Sequence, residues 1–382
     1  MKIALVIDTF DELNGVARTY HRFAEFCREK NIALTIFTPG VARSDETDGS
    51  VRIQRFRATR PLPYYRELPP FDLAIFSLGF REAFNPTEFD IVHLATPGSL
   101  GIAARLLTKK KVPTIGVYHT LLDIYAEYLV RSKRPFTVSA LSAPLARIAS
   151  QYALNWFYRG CDMVLAPSNT IKLQLATLKR PLELFPRGVD IDMFNPKHAD
   201  ASLKKNNPTA LYVGRLSPEK NLGLLVELWQ NRTDCDLWIV GDGSQYDYLK
   251  KHLPRAHFFG ALTGHDLSRV YASADFFIFP STTDTFGNVV LEAMASGLPA
   301  IVTNVGGPQE LIENGVTGFT TQPTVESFSQ KITQLATNKK MCRDLGITAR
   351  TKAEARDWDS AFNRLISEYI QLCNTRGNHP SL

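Results

Sequence analysis

The chain is expected to fold as two α/β domains, each a parallel sheet covered by helices, facing one another across a central cleft. Three observations predict this. The 382 residues exceed the length at which one hydrophobic core usually splits in two. Each half alternates short apolar runs with helical patterns, the mark of parallel strands joined by crossover helices. Between the halves, Asp190 to Pro208 is rich in Asp, Asn, Pro and Lys and carries no strand pattern, as a hinge would. The expected division is an N-terminal domain over residues 1–198, a C-terminal domain over 199–357, and a closing helix and tail over 358–382.

In chain order, Lys2–Ile7, Ala33–Phe37, Ile91–Leu94, Thr114–Tyr118 and Met163–Ala166 read as strands of the first half. Helical spacing is clearest at Val16–Lys30, Ser99–Lys109 and Pro144–Tyr158. In the second half the strands are Ala210–Val213, Leu237–Val240, Phe258–Phe259, Phe276–Phe279 and Ala300–Thr303. Helices are expected at Asn221–Gln230, Ser244–His252, Asp266–Ser273, Asn288–Ser296 and Ser327–Thr337. Trp358, Phe362, Leu365, Ile366, Tyr369, Ile370 and Leu372 form an apolar stripe, which predicts a last helix closing back toward the first domain.

Composition narrows the classes. With 44% hydrophobic and 21% charged residues the chain is an ordinary globular protein. Its net charge of +6 favours anionic partners, such as nucleotide phosphates or an anionic membrane surface. The densest basic patches, Lys109–Lys111 and Arg131–Arg134, are short, and no nucleic-acid-binding module is present. The five cysteines are scattered without a C-x-x-C pair, which argues against a zinc site and for reduced thiols in the cytoplasm. The first residues acquire charge too early for a secretory signal, and no run of about 18 apolar residues is available to span a membrane. Membrane contact would then be peripheral, at the inner face of the cell membrane. The Leu121–Arg147 region, with Tyr125, Tyr128, Leu129 and Phe136, suits such docking and equally suits a helix pair covering the sheet.

Chemistry concentrates at strand ends, where ligands bind in open parallel sheets. The most informative segment runs from Pro280 to Gly297: a strand, a polar turn containing Gly287, then an apolar-faced helix. A helix N-terminus offers unpaired N–H groups and a positive dipole end to phosphate. Asp284 before that helix and Glu292 within it can each hold a sugar hydroxyl on either side of such a phosphate. The blander reading makes Asp284 or Thr285 an N-cap and Glu292 a solvated helix residue. A second strand-to-turn segment, Tyr212 to Asn221, places Arg215 and Lys220 beside another helix start. Arg offers a planar fork to phosphate oxygens and Lys a point charge. Gly241-Asp242-Gly243 and Gly306-Gly307 add two more glycine-bearing turns, suggesting one large polar ligand. In the first half, the Asp8–Val16 loop ends at Gly15, and a strand delivers His119 to its end. Either has an ordinary structural reading, as a βα loop and as a satisfied histidine. Asp190-Ile191-Asp192 and Asp234-Cys235-Asp236 are metal–diphosphate patterns in unsuitable places and are read as chance.

Taken together these segments resemble the family 4 retaining glycosyltransferases of the GT-B type along nearly the whole chain. Gly214-Arg215 through Lys220-Asn221, Gly241–Gly243, Pro280–Pro299 and Gly306–Glu310 resemble that family's donor-domain motifs. His119-Thr120, Pro167-Ser168 and Arg187-Gly188-Val189-Asp190 through Pro196 resemble its N-terminal landmarks. Thr283–Gly287 is most similar to bacterial lipid mannosyltransferases and to sulfoquinovosyl or glucosyl diacylglycerol synthases. The resemblance implies roles. Arg215 and Lys220 bind the donor diphosphate, Gly214 lies beside them, and the backbone of Phe286, Gly287 and Asn288 contacts phosphate or sugar. Glu292 holds the ribose and Asp284 the transferred sugar. Gly15 borders the β-phosphate, His119 lies near the sugar, and the Leu262 backbone contacts the base. His119, Arg215, Lys220 and Asp284 form the expected catalytic set. The family usually carries Glu where this chain has Asp284, one methylene shorter, which bears on reach and donor preference.

The expected reaction is hexosyl transfer from a nucleotide diphosphate sugar to a lipid or glycan acceptor, with retention and without metal or other cofactor. GDP-mannose is the favoured donor and UDP-glucose or another UDP-sugar the alternative. A phosphorylase, a sugar-nucleotide epimerase and a non-catalytic sugar-nucleotide-binding module share the architecture. A nicotinamide dehydrogenase is disfavoured because G-x-G-x-x-G is absent.

Overall fold

A computed structural model describes residues 1–12, 15–57, 78–109, 111–119, 136–185, 187–203 and 207–377, with side chains undescribed at 78 and 136–143. The chain forms two compact α/β units: Met1–Pro186 with Ala361–Leu382, and Arg187–Ser360. The first contains strands β1 (Lys2–Val6), β2 (Ala33–Gly40), β3 (Ser44–Asp48), β4 (Val51–Arg57), β5 (Ile91–Leu94), β6 (Thr114–Val117), β7 (Met163–Ala166) and β8 (Leu182–Leu184). Its helices are α1 (Gly15–Glu29), α2 (Leu78–Ala83), α3 (Ser99–Thr108), α4 (Phe136–Arg159) and α5 (Asn169–Gln174). The second contains strands β9 (Thr209–Val213), β10 (Asp236–Val240), β11 (His257–Gly260), β12 (Phe276–Phe279), β13 (Ala300–Thr303) and β14 (Gly318–Thr321). Its helices are α6 (Gly223–Trp229), α7 (Tyr246–His252), α8 (Gly264–Ser273), α9 (Asn288–Ala295), α10 (Val325–Thr337) and α11 (Lys339–Glu354). The last helix, α12 (Trp358–Thr375), joins the first unit from Ala361 onward.

Both sheets follow the same logic. The first has the order β3-β4-β2-β1-β5-β6-β7-β8, parallel except for the β3–β4 hairpin. The second has the order β11-β10-β9-β12-β13-β14 and is parallel throughout. In each, the first strand of the unit lies inside the sheet and the chain winds outward from it in both directions. That reversal creates a switch point, between β1 and β5 and between β9 and β12.

Burial explains the elements. β5, β6, β7, β12 and β13 are buried along their whole length, so they read as short continuous apolar runs. Helix α1 buries Ala17, Tyr20, Phe23, Ala24 and Cys27, an apolar stripe at helical spacing. Phe37 packs edge-on against Phe80 and Phe84 in the first core, and each fully buried ring contributes roughly 2–3 kcal/mol. Helix α12 buries Phe362, Leu365, Tyr369 and Leu372, with Phe362 against Phe23 and Phe26 of α1. The closing helix expected from its apolar stripe is therefore present.

Other elements differ from expectation. Helix α4 runs through Pro144 instead of starting at it. Burial of Leu154, Phe157 and Tyr158 outweighs the roughly 3 kcal/mol that an interior proline costs. Strand β3, Ser-Asp-Glu-Thr-Asp, has no apolar pattern because it is an exposed edge, where charge is tolerated. Helix α11 was hidden by its many charged residues and buries only Cys342, Leu345, Gly346, Ala349 and Ala353. The segment after Asp190, expected as a hinge, packs within the second unit. Arg350 donates to the carbonyls of Ile191 and Phe194, and the Asp200 N–H donates to Ser273 Oγ. The Leu121–Arg147 docking region lies largely outside the described residues, as do Thr120, Lys110 and Arg131–Arg134.

Candidate functional site

At the switch point of the second unit, the turns following β9 and β12 lie side by side because those strands are neighbours. Three residue pairs tie the turns together. Lys220 Nζ lies 2.9 Å from both carboxylate oxygens of Asp284. Asn221 Nδ2 donates to the Pro280 carbonyl at 3.3 Å, and Thr283 Oγ1 donates to the Glu219 carbonyl at 3.0 Å. The 3-10 turn Pro218–Lys220 ends at Asn221 in left-handed conformation, with Lys220 buried. Arg215 is part-exposed and donates to Glu219 Oε1 at 3.2 Å.

This charge arrangement governs Asp284. Burial raises a carboxyl pKa, but the Lys220 ammonium, the Ser281 hydroxyl and the Arg215 guanidinium outweigh it and hold Asp284 below the ordinary value. Asp284 is therefore a carboxylate at neutral pH, with cations on one side of it.

Helix α9 begins beside this pair. Its N-cap is Gly287, at φ +94°, and no side chain caps the helix there. A β-carbon at Gly287 would be strained by that φ and would stand 3.0 Å from Pro308 Cγ. The next strand's turn supports the same segment, because the Gly307 N–H donates to the Asp284 carbonyl at 2.9 Å. Phe286 is buried, with the Arg187 guanidinium 5.8 Å from its ring centre. Asn288 opens the helix.

Glu292 is not a solvated helix residue. It is 8% exposed, and its Oε2 accepts from the hydroxyl of the fully buried Tyr271 on α8 at 3.1 Å. A carboxylate has several lone-pair sites, so one that accepts from a phenol can also accept from other hydroxyl groups. Gly214 follows β9, and its N–H donates to the Val240 carbonyl. The adjacent Gly241 is required by close approach: a β-carbon there would stand 1.9 Å from the Gly214 carbonyl oxygen. Leu262 follows β11, separated from the switch point by β10 and β9, and packs its side chain against the core. The Asp-x-Asp triplets serve local structure: Asp190 accepts from the backbone of Asp192 and Met193, and Asp234 pairs with Arg232.

Gly15 and His119 belong to the first unit. Gly15 starts α1 and accepts from Thr19 Oγ1 at 2.9 Å. His119, 9% exposed, follows β6, and its Nε2 lies 2.9 Å from the Tyr20 hydroxyl. The switch point of this unit is filled by the chain itself. Asp8 after β1 accepts from the Leu100 N–H at 2.8 Å and from Thr96 Oγ1 at 2.6 Å, capping α3. Burial raises the Asp8 pKa, and these hydrogen bonds oppose the rise.

Sequence reasoning missed Asp8, Tyr271, Tyr20, His93 and Tyr369. Tyr20, Tyr271 and Tyr369 each stood in an apolar helical stripe, indistinguishable there from core. His93 alone left a signal, a polar residue inside the apolar strand Ile91–Leu94.

Comparison with known proteins agrees with this architecture. Residues 194–352 match the family model for glycosyl transferases group 1, and residues 13–193 match that for glycosyltransferase family 4. A GDP-mannose-dependent alpha-mannosyltransferase of Mycolicibacterium smegmatis is 32% identical, over 98% of this chain and 99% of the relative. A sulfoquinovosyl transferase of Arabidopsis thaliana is 30% identical, over 96% of this chain and 73% of the relative. Among solved structures, sucrose-phosphate synthase from Thermosynechococcus elongatus superimposes with a TM-score of 0.79 at 21% identity, over 98% of this chain and 100% of that one. The shared fold is GT-B. With both halves matched and relatives of this similarity spanning the chain, the protein belongs to the family 4, group 1 glycosyltransferases.

Proposed function

We propose that the protein transfers a hexosyl group, mannosyl in the first instance, from a nucleotide diphosphate sugar to a lipid or glycan acceptor with retention at the anomeric carbon. The observation that carries this reading is the Lys220–Asp284 pair at the β9/β12 switch point, beside a helix start with no side-chain cap. As the glycosidic bond breaks, negative charge grows on the leaving diphosphate. Fixed donors aimed at that charge are the expected main source of acceleration. Lys220, Arg215 and the N–H groups of α9 supply them, so the reaction as proposed needs no metal. Asp284 accepts from hydroxyls of the transferred sugar, Glu292 accepts from the ribose, and the Leu262 backbone meets the base. In the first unit, Gly15 meets the β-phosphate and His119 bonds the sugar.

GDP-mannose is proposed on the strength of the mannosyltransferase relative, whose name also specifies an alpha product. The sulfoquinovosyl relative, which transfers a different sugar, supports a second donor reading, UDP-glucose or another UDP-sugar. A thermal-shift screen separates the two, because a ligand that binds only the folded state raises its stability. GDP-mannose should raise the melting temperature and UDP-glucose should not; the reverse result transfers the proposal to the second donor. Turnover in EDTA and NMR of the product anomer test metal independence and retention.

An acceptor in a membrane is supported by α4. Leu145, Ile148, Tyr152 and Trp156 are 65%, 48%, 74% and 47% exposed and recur on one helical face. Arg105 lies 3.9 Å over the Trp156 ring, and Arg147 and Arg159 are exposed on the same helix. An apolar stripe flanked by arginines suits the interface of an anionic bilayer. No helix among the described residues is long and apolar enough to cross a membrane, so the contact proposed is peripheral. Vesicles of anionic lipid should sediment the protein and neutral vesicles should not; equal recovery with both removes the membrane argument.

A further inference from the structure

The neighbours β9 and β12 part company before they end. Their parallel register runs through Ala210↔Phe276 and Leu211↔Phe277 and, among the described residues, goes no further. On the outer sides the pairing continues, β9 with β10 to Val213↔Val240 and β12 with β13 to Phe279↔Val302. The turns beyond follow those outer partners. The Leu216 N–H donates to the Asp242 carbonyl at 2.9 Å, and the Thr303 hydroxyl donates to the Ser281 carbonyl at 2.6 Å. Ligands of open parallel sheets bind in the crevice at such a switch point.

Three consecutive residues of the β9 turn reach across it. The Glu219 carbonyl accepts from Thr283 Oγ1 at 3.0 Å, Lys220 pairs with Asp284, and Asn221 Nδ2 donates to the Pro280 carbonyl at 3.3 Å. The ion pair is therefore flanked in sequence by two neutral bonds, one donated from each turn. Asn221 is preset for its bond by a left-handed backbone at φ +56°, a conformation that asparagine tolerates better than most residues. The two kinds of bond respond differently to a ligand. Phosphate competes for the ammonium and a sugar hydroxyl for the carboxylate, so a donor draws on the ion pair. The neutral bonds end on the Pro280 and Glu219 carbonyls, which have no part in the proposed donor contacts.

We propose that Asn221 and Thr283 are positioning residues whose bonds hold the β9 and β12 turns in register while a nucleotide diphosphate sugar takes over the charges of Lys220 and Asp284. This rests on the donor roles given above to those two groups. Fixed donors accelerate a reaction because they need no reorganisation as charge develops. Loss of either brace should therefore appear in kcat, where Lys220 must already be in place, and much less in KM.

Three variants test the braces. Thr283→Val keeps the branched shape without the hydroxyl, Thr283→Ser restores the hydroxyl, and Asn221→Gly keeps the left-handed turn without the amide. Turnover of GDP-mannose and of UDP-glucose is read as release of the nucleoside diphosphate, far below the melting temperature of each variant. Thr283→Val and Asn221→Gly should each lower kcat about tenfold with the donor KM little changed, and Thr283→Ser should keep most of the wild-type kcat. An unchanged kcat in Thr283→Val overturns the proposal, as does a loss that Thr283→Ser shares in full. A second comparison needs no ligand. In Lys220→Met, Asp284→Asn protein, which lacks the ion pair, adding Thr283→Val should lower the melting temperature by a further ~2–4 °C. No further change there would show that the brace does not hold the turns independently of the ion pair, and would overturn the proposal. A wild type that turns over neither donor counts against the proposed reaction, and the melting comparison then judges the braces by itself.

Discussion

Lys220 Nζ stands 2.9 Å from both oxygens of Asp284, joining residues 64 apart in sequence across the switch point of the second sheet. The ion pair joins the two groups proposed for neighbouring parts of the donor, the cation for diphosphate and the carboxylate for sugar. Donor binding must therefore share or exchange this pairing. Each group is also kept charged and in place by the other before a ligand arrives, which reduces the reorganisation that binding requires.

Removing Lys220 should consequently do two separable things. Lys220→Ala should slow turnover by about 10²–10³-fold, the usual cost of losing one fixed donor to a developing charge. It should also destabilise the second unit by about 1–3 kcal/mol, less than a fully buried pair because Asp284 remains 22% exposed. Lys220→Met combined with Asp284→Asn should regain most of that stability and none of the activity. Denaturant melts of the nucleotide-free variants beside initial rates make the comparison; recovery of both together would contradict the assignment.

The lowered Asp284 pKa makes a pH prediction of definite sign. A carboxyl that ionises more readily when folded stabilises the folded state above its ordinary pKa of 3.8. That contribution is lost as pH falls below 3.8 and through the lower folded-state value. Stability measured by urea unfolding from about pH 5 down to about pH 3 should fall more steeply in the wild type than in Asp284→Asn. Parallel curves would show that the pairing does not operate in solution.

Glu292 should report on binding and not on the chemical step. Tyr271→Phe removes the hydroxyl that bonds its carboxylate, and Glu292→Gln removes the charge. Either should raise KM for the donor several-fold with kcat nearly unchanged, as expected when ground and transition states lose the same contact. A nucleoside diphosphate lacking a ribose hydroxyl should bind the wild type more weakly than the parent nucleotide, and Glu292→Gln should narrow that difference. A loss confined to kcat would move Glu292 into the reacting centre.

Asp284→Glu addresses donor choice. The added methylene lengthens the reach of the carboxylate and disturbs its two bonds to Lys220. The ratio of kcat/KM for GDP-mannose over UDP-glucose should change by about tenfold, the scale of one well-placed hydrogen bond. An unchanged ratio would remove Asp284 from donor selection.

Asp8 gives a prediction about architecture alone. As the carboxylate cap of α3, its replacement in Asp8→Ala should cost about 1–2 kcal/mol. The thermal unfolding of the first unit should shift down while the second is unaffected. Its cap also separates the two switch points physically: α3 already holds a carboxylate, whereas α9 begins at a glycine with no side-chain cap.

Much of this was written in local pattern. Apolar runs at β5, β6, β7, β12 and β13 are legible because buried parallel strands need apolar side chains on both faces. Turns at Gly214–Asn221 and Pro280–Gly287 are legible because a strand end, a glycine and a helix start occur in a row. From those alone followed two α/β units and the segments proposed here for the donor, with residue types able to hold phosphate and sugar. Partnership was decided by the tertiary structure. That Lys220 meets Asp284 depends on β9 lying next to β12, a matter of strand order that no spacing records. Glu292 became a buried acceptor only because α8 brings Tyr271 to it. Tyr369 joined His93 and Tyr20 only when the last helix packed on the first unit. Periodicity reports which face of an element is buried; which groups then touch is set by how the buried faces are assembled.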